Sequence, residues 1–329
     1  MNPQAVIALD LGGTKLAAAL VLSDGWKLGH QSTPLGSRTG AAVGQLVVEE
    51  MNRVRQLARR RHITVKGVGV CVPGIVAGKA GRVWAPNIGG WDDYPLRAEV
   101  RVALADRKLK VAIESDRAAS ILGEAWKGAA RGCRNAIFLA VGTGIGAGIL
   151  VDGRVLHGAT GIAGAIGWMA LNQPFRSQYA ERGCFESHAS GEGIAMVASE
   201  MLGRNRKYRG PLRKQSPPTA RDVFAAFERD DDLARAVVAE AIEFWGMAAA
   251  NLISLFNPEK IIFGGGVFGP ATKFMDAIAT EARRWAQPIA AQQVKFEASQ
   301  LGGDAALIGA AYSALRAARL QGPIRKSAK

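Results

Sequence analysis

The segment Val6-Ile-Ala-Leu-Asp10-Leu-Gly12-Gly13-Thr14-Lys15-Leu-Ala-Ala-Ala-Leu-Val21, closed by Asp24-Gly25, has a counterpart in the second half of the chain. There the sequence runs Ala136-Ile-Phe-Leu-Ala140-Val-Gly142-Thr143-Gly144-Ile-Gly146-Ala-Gly148-Ile-Leu150-Val151 and closes on Asp152-Gly153. Each copy is an apolar run, a Gly/Thr turn, a second apolar run, and an Asp-Gly turn before a third short strand, at 26–31 and 154–157. Asp-Gly between apolar runs is a strong hairpin signal, because glycine supplies the positive φ that a two-residue turn needs. The same three-stranded meander therefore opens both halves.

Working outward, helical patterns follow at 39–61, 190–202 and 220–256, and short apolar runs of the buried-strand type recur at 66–72, 110–113, 260–263 and 294–296. Strands alternating with helices mean an α/β fold. Duplication of the meander predicts two similar lobes, residues 1–130 and 131–329, with a ligand cleft between them. A length of 329 residues accommodates two domains.

Composition narrows the function. Hydrophobic content of 48% and charged content of 21% support a large core and exclude a disordered chain. Lys+Arg exceed Asp+Glu by 42 to 28, a net charge of +14. The basic residues are scattered over 53–61, 204–214 and 325–329, and aromatics make up only 7% of the chain without interleaving among them. No nucleic-acid partner is expected from that pattern. Cys71, Cys133 and Cys184 lie far apart without a CxxC pair, which fits a reducing cytoplasm rather than a disulfide framework. No stretch of about 18 residues is apolar throughout without a charge, and the N-terminus lacks the basic region of a signal peptide.

The glycine turns carry the first chemical signal. Gly12 and Gly13 let backbone N–H groups approach an anion closely, Thr14 adds a hydroxyl donor and Lys15 a positive charge. Thr143 and Gly144 repeat the device, and two such turns suit a polyphosphate. Asp10 precedes the first turn, where a carboxylate is placed to hold Mg²⁺. No G-x-x-x-x-G-K-[ST] is present, which excludes a P-loop. Gly142-x-Gly144-x-x-Ala147 continues as a strand and so fails the context of a dinucleotide fingerprint. Gly264-x-Gly266-x-x-Gly269 follows a strand and precedes a helix opening at Pro270, which leaves a dehydrogenase or an adenosine-packing turn at Gly265 and Gly266.

The second signal is Val111-Ala-Ile-Glu114-Ser115-Asp116, a buried strand ending in polar residues before a helical pattern. Asp116 is either the helix N-cap or a general base that takes a proton from an attacking hydroxyl. Strand C-termini line the ligand crevice of open α/β sheets, which favours the base.

Together these motifs resemble the ROK family of sugar kinases, within the actin-like ATPase (ribonuclease H-like) fold, over about residues 6–315. Asp10-Leu-Gly-Gly-Thr-Lys15 is similar to the family's first phosphate motif, Val141-Gly-Thr-Gly-Ile-Gly146 to the second, and Ile261-Ile-Phe-Gly-Gly-Gly266-Val to the adenosine motif. Pro73-Gly74 and Ala85-Pro-Asn87-Ile-Gly-Gly-Trp91 resemble the sugar-side loops, Ser115-Asp116 stands where the family carries Asn-Asp, and Glu186 ends a Gly-Cys-x-Glu motif. The resemblance implies ATP and Mg²⁺ as cofactors, a sugar or polyol substrate, and a homodimer. It makes Asp116 the base and gives Gly74, Asn87, Ser115 and Glu186 to the substrate.

The departures are as informative. The family's G-E-I-G-H reads Gly164-Ala165-Ile166-Gly167-Trp168, and its C-x-C-G-x-x-G-C-x-E reads Ser177-Gln-Tyr179-Ala180-Glu-Arg-Gly183-Cys184-Phe-Glu186. The family's zinc site has lost its histidine and two of three cysteines, so zinc is not expected. Cys184 and His188, four apart, are the remaining metal-ligand pair to consider, and Trp168 is expected to fill the vacated space. Arg117 beside Asp116 is expected to favour the ionised carboxylate or to recruit an anionic sugar. The chain starts a few residues before the phosphate strand, so the kinase form is expected rather than the helix-turn-helix repressors of the family. The altered sugar pocket (Ala165, Trp168, Ser115) motivates an alternative, a non-catalytic sugar or nucleotide sensor.

Overall fold

The first meander, β1 (Gln4–Leu11), β2 (Lys15–Leu22) and β3 (Lys27–Pro34), opens a computed structural model that describes residues 3–78, 80–215 and 217–324. It is followed by α1 (Gly40–Arg60), β4 (Thr64–Val72), a hairpin of β5 (Ile75–Ala77) and β6 (Arg82–Trp84), α2 (Leu96–Leu104), β7 (Lys110–Ser115) and α3 (Asp116–Lys127). The second meander is β8 (Ala136–Val141), β9 (Ile145–Val151) and β10 (Arg154–Val155). Then come α4 (Tyr179–Arg182), α5 (Cys184–Ala189), α6 (Gly191–Arg204), α7 (Ala220–Phe227) and α8 (Asp232–Phe256). The chain finishes with β11 (Lys260–Gly264), α9 (Met275–Trp285), α10 (Pro288–Gln293), β12 (Lys295–Ala298) and α11 (Ala305–Ala317).

The two large sheets have one topology. The first is ordered β3-β2-β1-β4-β7 and the second β10-β9-β8-β11-β12. In each, an antiparallel meander is extended by two parallel strands, so the α/β class and the duplication are both as expected. By contacts the chain divides into two units. The first gathers Met1–Arg134, Gly148–Ala163 and Gln300–Lys329, and the second Asn135–Ala147 and Gly164–Ser299. The single cut near residue 130 follows sequence order, whereas packing returns α11 to the first unit.

The reason for that return is burial on both faces of the first sheet. Residues 5–9 of β1 are all buried, the continuous apolar pattern of a sheet covered on both sides. Ile7, Leu9 and Leu11 face α1, whose Val43, Leu46, Val47, Met51 and Val54 recur at helical spacing. Val6 and Ala8 face the other way, into a cluster with Leu307, Ala311, Ala314 and Leu315 of α11. Helix α11 lies unusually close to α3, because a Cβ on Gly309 would stand 1.7 Å from the Ala119 carbonyl oxygen. Only glycine permits that approach.

The helical pattern at 220–256 is two helices. Asp230 takes a left-handed φ of 59° and Asp231 caps α8, accepting from the Ala234 N–H at 2.9 Å. Helix α8 is long and apolar enough to cross a membrane by length and composition, and 61% of that apolar window is buried inside the protein.

Candidate functional site

The first glycine turn is held by its own hairpin. The Gly12 N–H donates to the Lys15 carbonyl at 2.9 Å, leaving Gly13, Thr14 and Lys15 exposed at the tip. Asp10, near the end of β1, lines a cavity of about 300 Å³ with Gly12, Lys15, His30, Ser32 and Asp304. Loss of hydration, helped by the charges of Asp116 and Asp304 and opposed by Cys71 and Lys15, pushes the Asp10 carboxyl up to about 6. Asp304 is paired with Lys27, so Asp10 is the carboxylate whose hard oxygens fit Mg²⁺ carried by a nucleotide.

Strand register brings the next groups in. In the parallel pairs β1–β4 and β4–β7, Asp10 stands opposite Cys71, and Cys71 opposite Glu114. The buried Cys71 thiol bonds the Asp10 carboxyl, and burial pushes the thiol well above its ordinary value. Ser115 and Asp116 follow at the C-terminal edge of the same sheet. Ser115, not Asp116, is the N-cap of α3, its Oγ accepting from the Ala118 N–H at 3.3 Å. Asp116 is thus released from capping. Its carboxylate keeps half its surface exposed, accepts from the Arg117 N–H at 2.8 Å and lies 3.9 Å from the Arg117 guanidinium.

Arg117 favours the ionised Asp116 carboxylate, as expected of a neighbouring cation, but burial acts more strongly in the other direction. The carboxyl is raised, because the loss of hydration exceeds the lowering by Arg117. Arg117 also reaches the Gly74 carbonyl at 3.5 Å. Gly74 has a φ of 111°, and a Cβ there would stand 2.1 Å from the Trp84 carbonyl oxygen. Asn87 is exposed on a tight loop closed by the Ala85 N–H donating to the Trp91 carbonyl at 2.8 Å. Buried Trp91 anchors that loop by stacking on Tyr94 and donating to the Gly40 carbonyl at 3.0 Å. The loop lies against the first glycine turn, with the Asn87 Cβ 3.4 Å from where a Gly13 Cβ would stand. Ser115 and Glu114 border a second cavity of about 310 Å³, walled by Val76, Arg97 and His157. Burial raises Glu114 in spite of His157, Ser313, Arg316 and Arg97.

The first unit thus brings together Asp10, Gly12, Gly13, Thr14, Lys15, Gly74, Asn87, Ser115 and Asp116. The second unit holds the remaining residues singled out from the sequence. Its glycine turn closes through the Gly142 N–H on the Gly144 carbonyl at 2.9 Å, with Thr143 exposed. Glu186 on α5 accepts from the Ile145 N–H at 2.6 Å and packs against Gly144. Burial raises the Glu186 carboxyl, while the Ile145 N–H opposes the shift. Gly265, at φ 90°, and exposed Gly266 end β11 beside the same turn, since a Gly265 Cβ would stand 2.3 Å from the Val141 carbonyl oxygen.

Trp168 does not fill the space expected of it. It is 55% exposed, because the short 3₁₀ turn at Ile166–Trp168 buries Ile166 and Gly167 and directs the indole outward. Three further residues were not found from the sequence. Cys71 is signalled only by register, being the parallel neighbour of Asp10. Asp304 follows a Gly-Gly pair before α11, a turn signal that marks the position without its neighbour. Glu240 lies mid-helix, where nothing in the local pattern points to His188.

A family model described as the ROK family matches residues 6–317. The chain is 31% identical over 318 residues to a glucokinase from Halalkalibacterium halodurans, with 95% of each chain covered. A solved ROK hexokinase from Thermus thermophilus matches with a TM-score of 0.80 at 28% identity, covering 96% of this chain and 99% of that one. A ROK family glucokinase from Streptomyces griseus, solved in complex with glucose and AMPPNP, matches with a TM-score of 0.73 at 27% identity, covering 93% and 98%.

Proposed function

The chain belongs to the ROK family, and from that premise we propose that it is an ATP-dependent sugar kinase acting on a hydroxyl of a hexose or related polyol. The observation that carries the reading is Asp116. It stands at the C-terminal edge of the first sheet, spared from capping by Ser115, in the same unit as Asp10 and the exposed glycine turn. A relative that is a glucokinase and a solved ROK glucokinase in complex with glucose and AMPPNP support the substrate class and the donor.

Phosphoryl transfer asks a protein for positioning, charge neutralisation and one base. Gly12, Gly13, Thr14 and Lys15, with Thr143 and Gly144, take the phosphates through backbone N–H, hydroxyl and ammonium donors. Gly265 and Gly266 leave room for the adenosine. Asp10 would hold Mg²⁺ on the nucleotide, and the ion would supply charge stabilisation to the transferring phosphoryl oxygens. Gly74, Asn87, Ser115 and Glu186 orient the sugar. Asp116 accepts the proton of the attacking hydroxyl. Its raised carboxyl makes it a better proton acceptor than an ordinary aspartate, and activity falls as pH drops through that raised value. We further propose a cytoplasmic homodimer, a reading supported by the family resemblance and by three buried cysteines with no CxxC pair among them, which suit a reducing compartment.

The test is coupled ADP release over a panel of hexoses, amino sugars, inositols and sugar acids. Sugar-dependent ADP release is expected from at least one. Release no faster than the sugar-free rate with every member overturns the kinase and leaves the sensor.

A further inference from the structure

The donor set at the family's zinc position does not fit a zinc ion. Tetrahedral structural zinc needs four thiolate or imidazole ligands. Here Ser177 and Trp168 are exposed, Tyr179 is a phenol, and Cys184 is a lone thiol. Among the described residues no three His, Cys, Asp or Glu side chains are grouped to hold a metal. The remaining pair, Cys184 and His188, is also closed to a metal, because both nitrogens of His188 are engaged. Nε2 meets the Tyr179 hydroxyl at 2.7 Å and Nδ1 meets a Glu240 carboxylate oxygen at 2.7 Å.

We propose that the relay Tyr179–His188–Glu240 takes over the stapling that the family resemblance gives to zinc, and that these three are positioning residues for Glu186. This rests on the reading of Glu186 as a sugar-orienting group. Helix α5, which carries Glu186 and His188, has only six residues and cannot hold its own orientation in isolation. It is fixed from outside on two sides. Tyr179, the residue at the family's second cysteine position, ties it to α4. On α8, Glu240 and Phe244 are one helical turn apart and present one face. Glu240 bonds the imidazole, and Phe244 stacks on it with ring centroids 4.2 Å apart and planes 8° from parallel. Next to them, the Trp245 Nε1–H donates to the Ala189 carbonyl at 3.0 Å.

The His188 side chain is only 3% exposed, so each of its ring nitrogens needs a partner and both have one. Burial keeps Tyr179 a phenol. The simplest assignment has its O–H donating to Nε2 while Nδ1–H donates to Glu240. An imidazole gripped at both nitrogens and on its face cannot turn, and Glu186, two residues earlier on the same helical turn, is carried with it. Its carboxylate is thereby set on the Ile145 N–H of the second glycine turn.

The experiment uses the full-length protein with the isosteric variants Tyr179→Phe and Glu240→Gln, which keep the volume of the cluster. Wild type is expected to contain well under one zinc per chain by elemental analysis and to keep its melting temperature after EDTA treatment. Hydrogen exchange in peptides spanning 140–150 and 183–190 is expected to quicken about tenfold in either variant, with β1 unchanged. With the panel sugar that releases ADP fastest as acceptor, KM for that sugar is expected to rise about tenfold, with kcat and the KM for ATP within twofold of wild type. Stoichiometric zinc whose removal lowers the melting temperature overturns the relay. So does unchanged exchange in both variants, or an unchanged sugar KM. If no sugar releases ADP, the kinase reading fails on its own, and the zinc and exchange measurements still decide the relay.

Discussion

The two glycine turns share a strand order and a sequence pattern, and they differ in what occupies them. In the first, Gly13, Thr14 and Lys15 are exposed, and Asp10 stands behind them with its carboxyl pushed up to about 6. In the second, the positions of Asp10 and Lys15 are taken by Ala140 and Ile145, and the Ile145 N–H is already bonded by Glu186. Duplication copied a backbone that can approach phosphate. The charged residues Asp10 and Lys15 stand in one copy only. A turn of this kind is therefore a geometry, and its chemistry is decided by one or two side chains beside it.

That asymmetry predicts that substitutions on the first-turn side cost most. Asp116→Ala is expected to lower kcat by about 10²–10⁴-fold, the range of a general base, while AMPPNP affinity stays within threefold by calorimetry. A near-normal kcat would remove Asp116 from its role. Asp10→Asn is expected to lower kcat by roughly 10²-fold through lost charge organisation, and at the same time to stabilise the fold. The sign follows from the raised carboxyl. Stability contributed by protonated Asp10 is fully present below its ordinary 3.8 and is lost as pH rises through about 6. At pH 7 the variant is therefore more stable, by roughly 3 kcal/mol, and its melting temperature changes less than that of wild type between pH 4 and 6. Equal pH dependence in the two proteins would refute the assignment.

On the second-turn side the effects are smaller and fall on different constants. Glu186→Gln keeps an acceptor for the Ile145 N–H, and is expected to raise the sugar KM about tenfold with little change in melting temperature. Glu186→Ala leaves that N–H without its partner and is expected to destabilise by about 1–3 kcal/mol as well, measured by urea unfolding. The smallest effects belong to the threonines. Thr14→Ala and Thr143→Ala are each expected to raise the KM for ATP a few-fold, Thr14 more than Thr143, because Lys15 and Asp10 flank only the first. The reverse order would break the comparison.

Much of this was legible in the sequence, for identifiable reasons. The meanders announced themselves because Asp-Gly turns fix hairpin register, and β4 and β11 because their residues are buried on both faces. Asp10, the glycine turns and Asp116 lie on or beside those strands, so their neighbourhood came with them. Helix α11 did not announce itself, since apolar residues occupy nearly all its faces and leave no amphipathic stripe. The break at Asp230 was hidden within a helical pattern, because a single left-handed residue leaves no trace in hydrophobic periodicity. The side-chain partners were the least legible. Cys71 meets Asp10 through strand register, and His188 meets Tyr179 and Glu240 through packing of three helices. Trp168 does not fill that space, because apolar character alone does not decide burial where a short 3₁₀ turn points the side chain outward. The chain instead satisfied the neighbourhood with His188 and turned the indole outward.

The central claim is that Asp116 receives the proton of the acceptor hydroxyl. It is tested most directly by a crystal structure with AMPPNP and the sugar that supports ADP release. The account predicts a sugar hydroxyl within about 2.6–3.2 Å of an Asp116 carboxylate oxygen, with Asn87 on the same sugar. A sugar bound with every hydroxyl beyond reach of Asp116, and another side chain in that place, would contradict it.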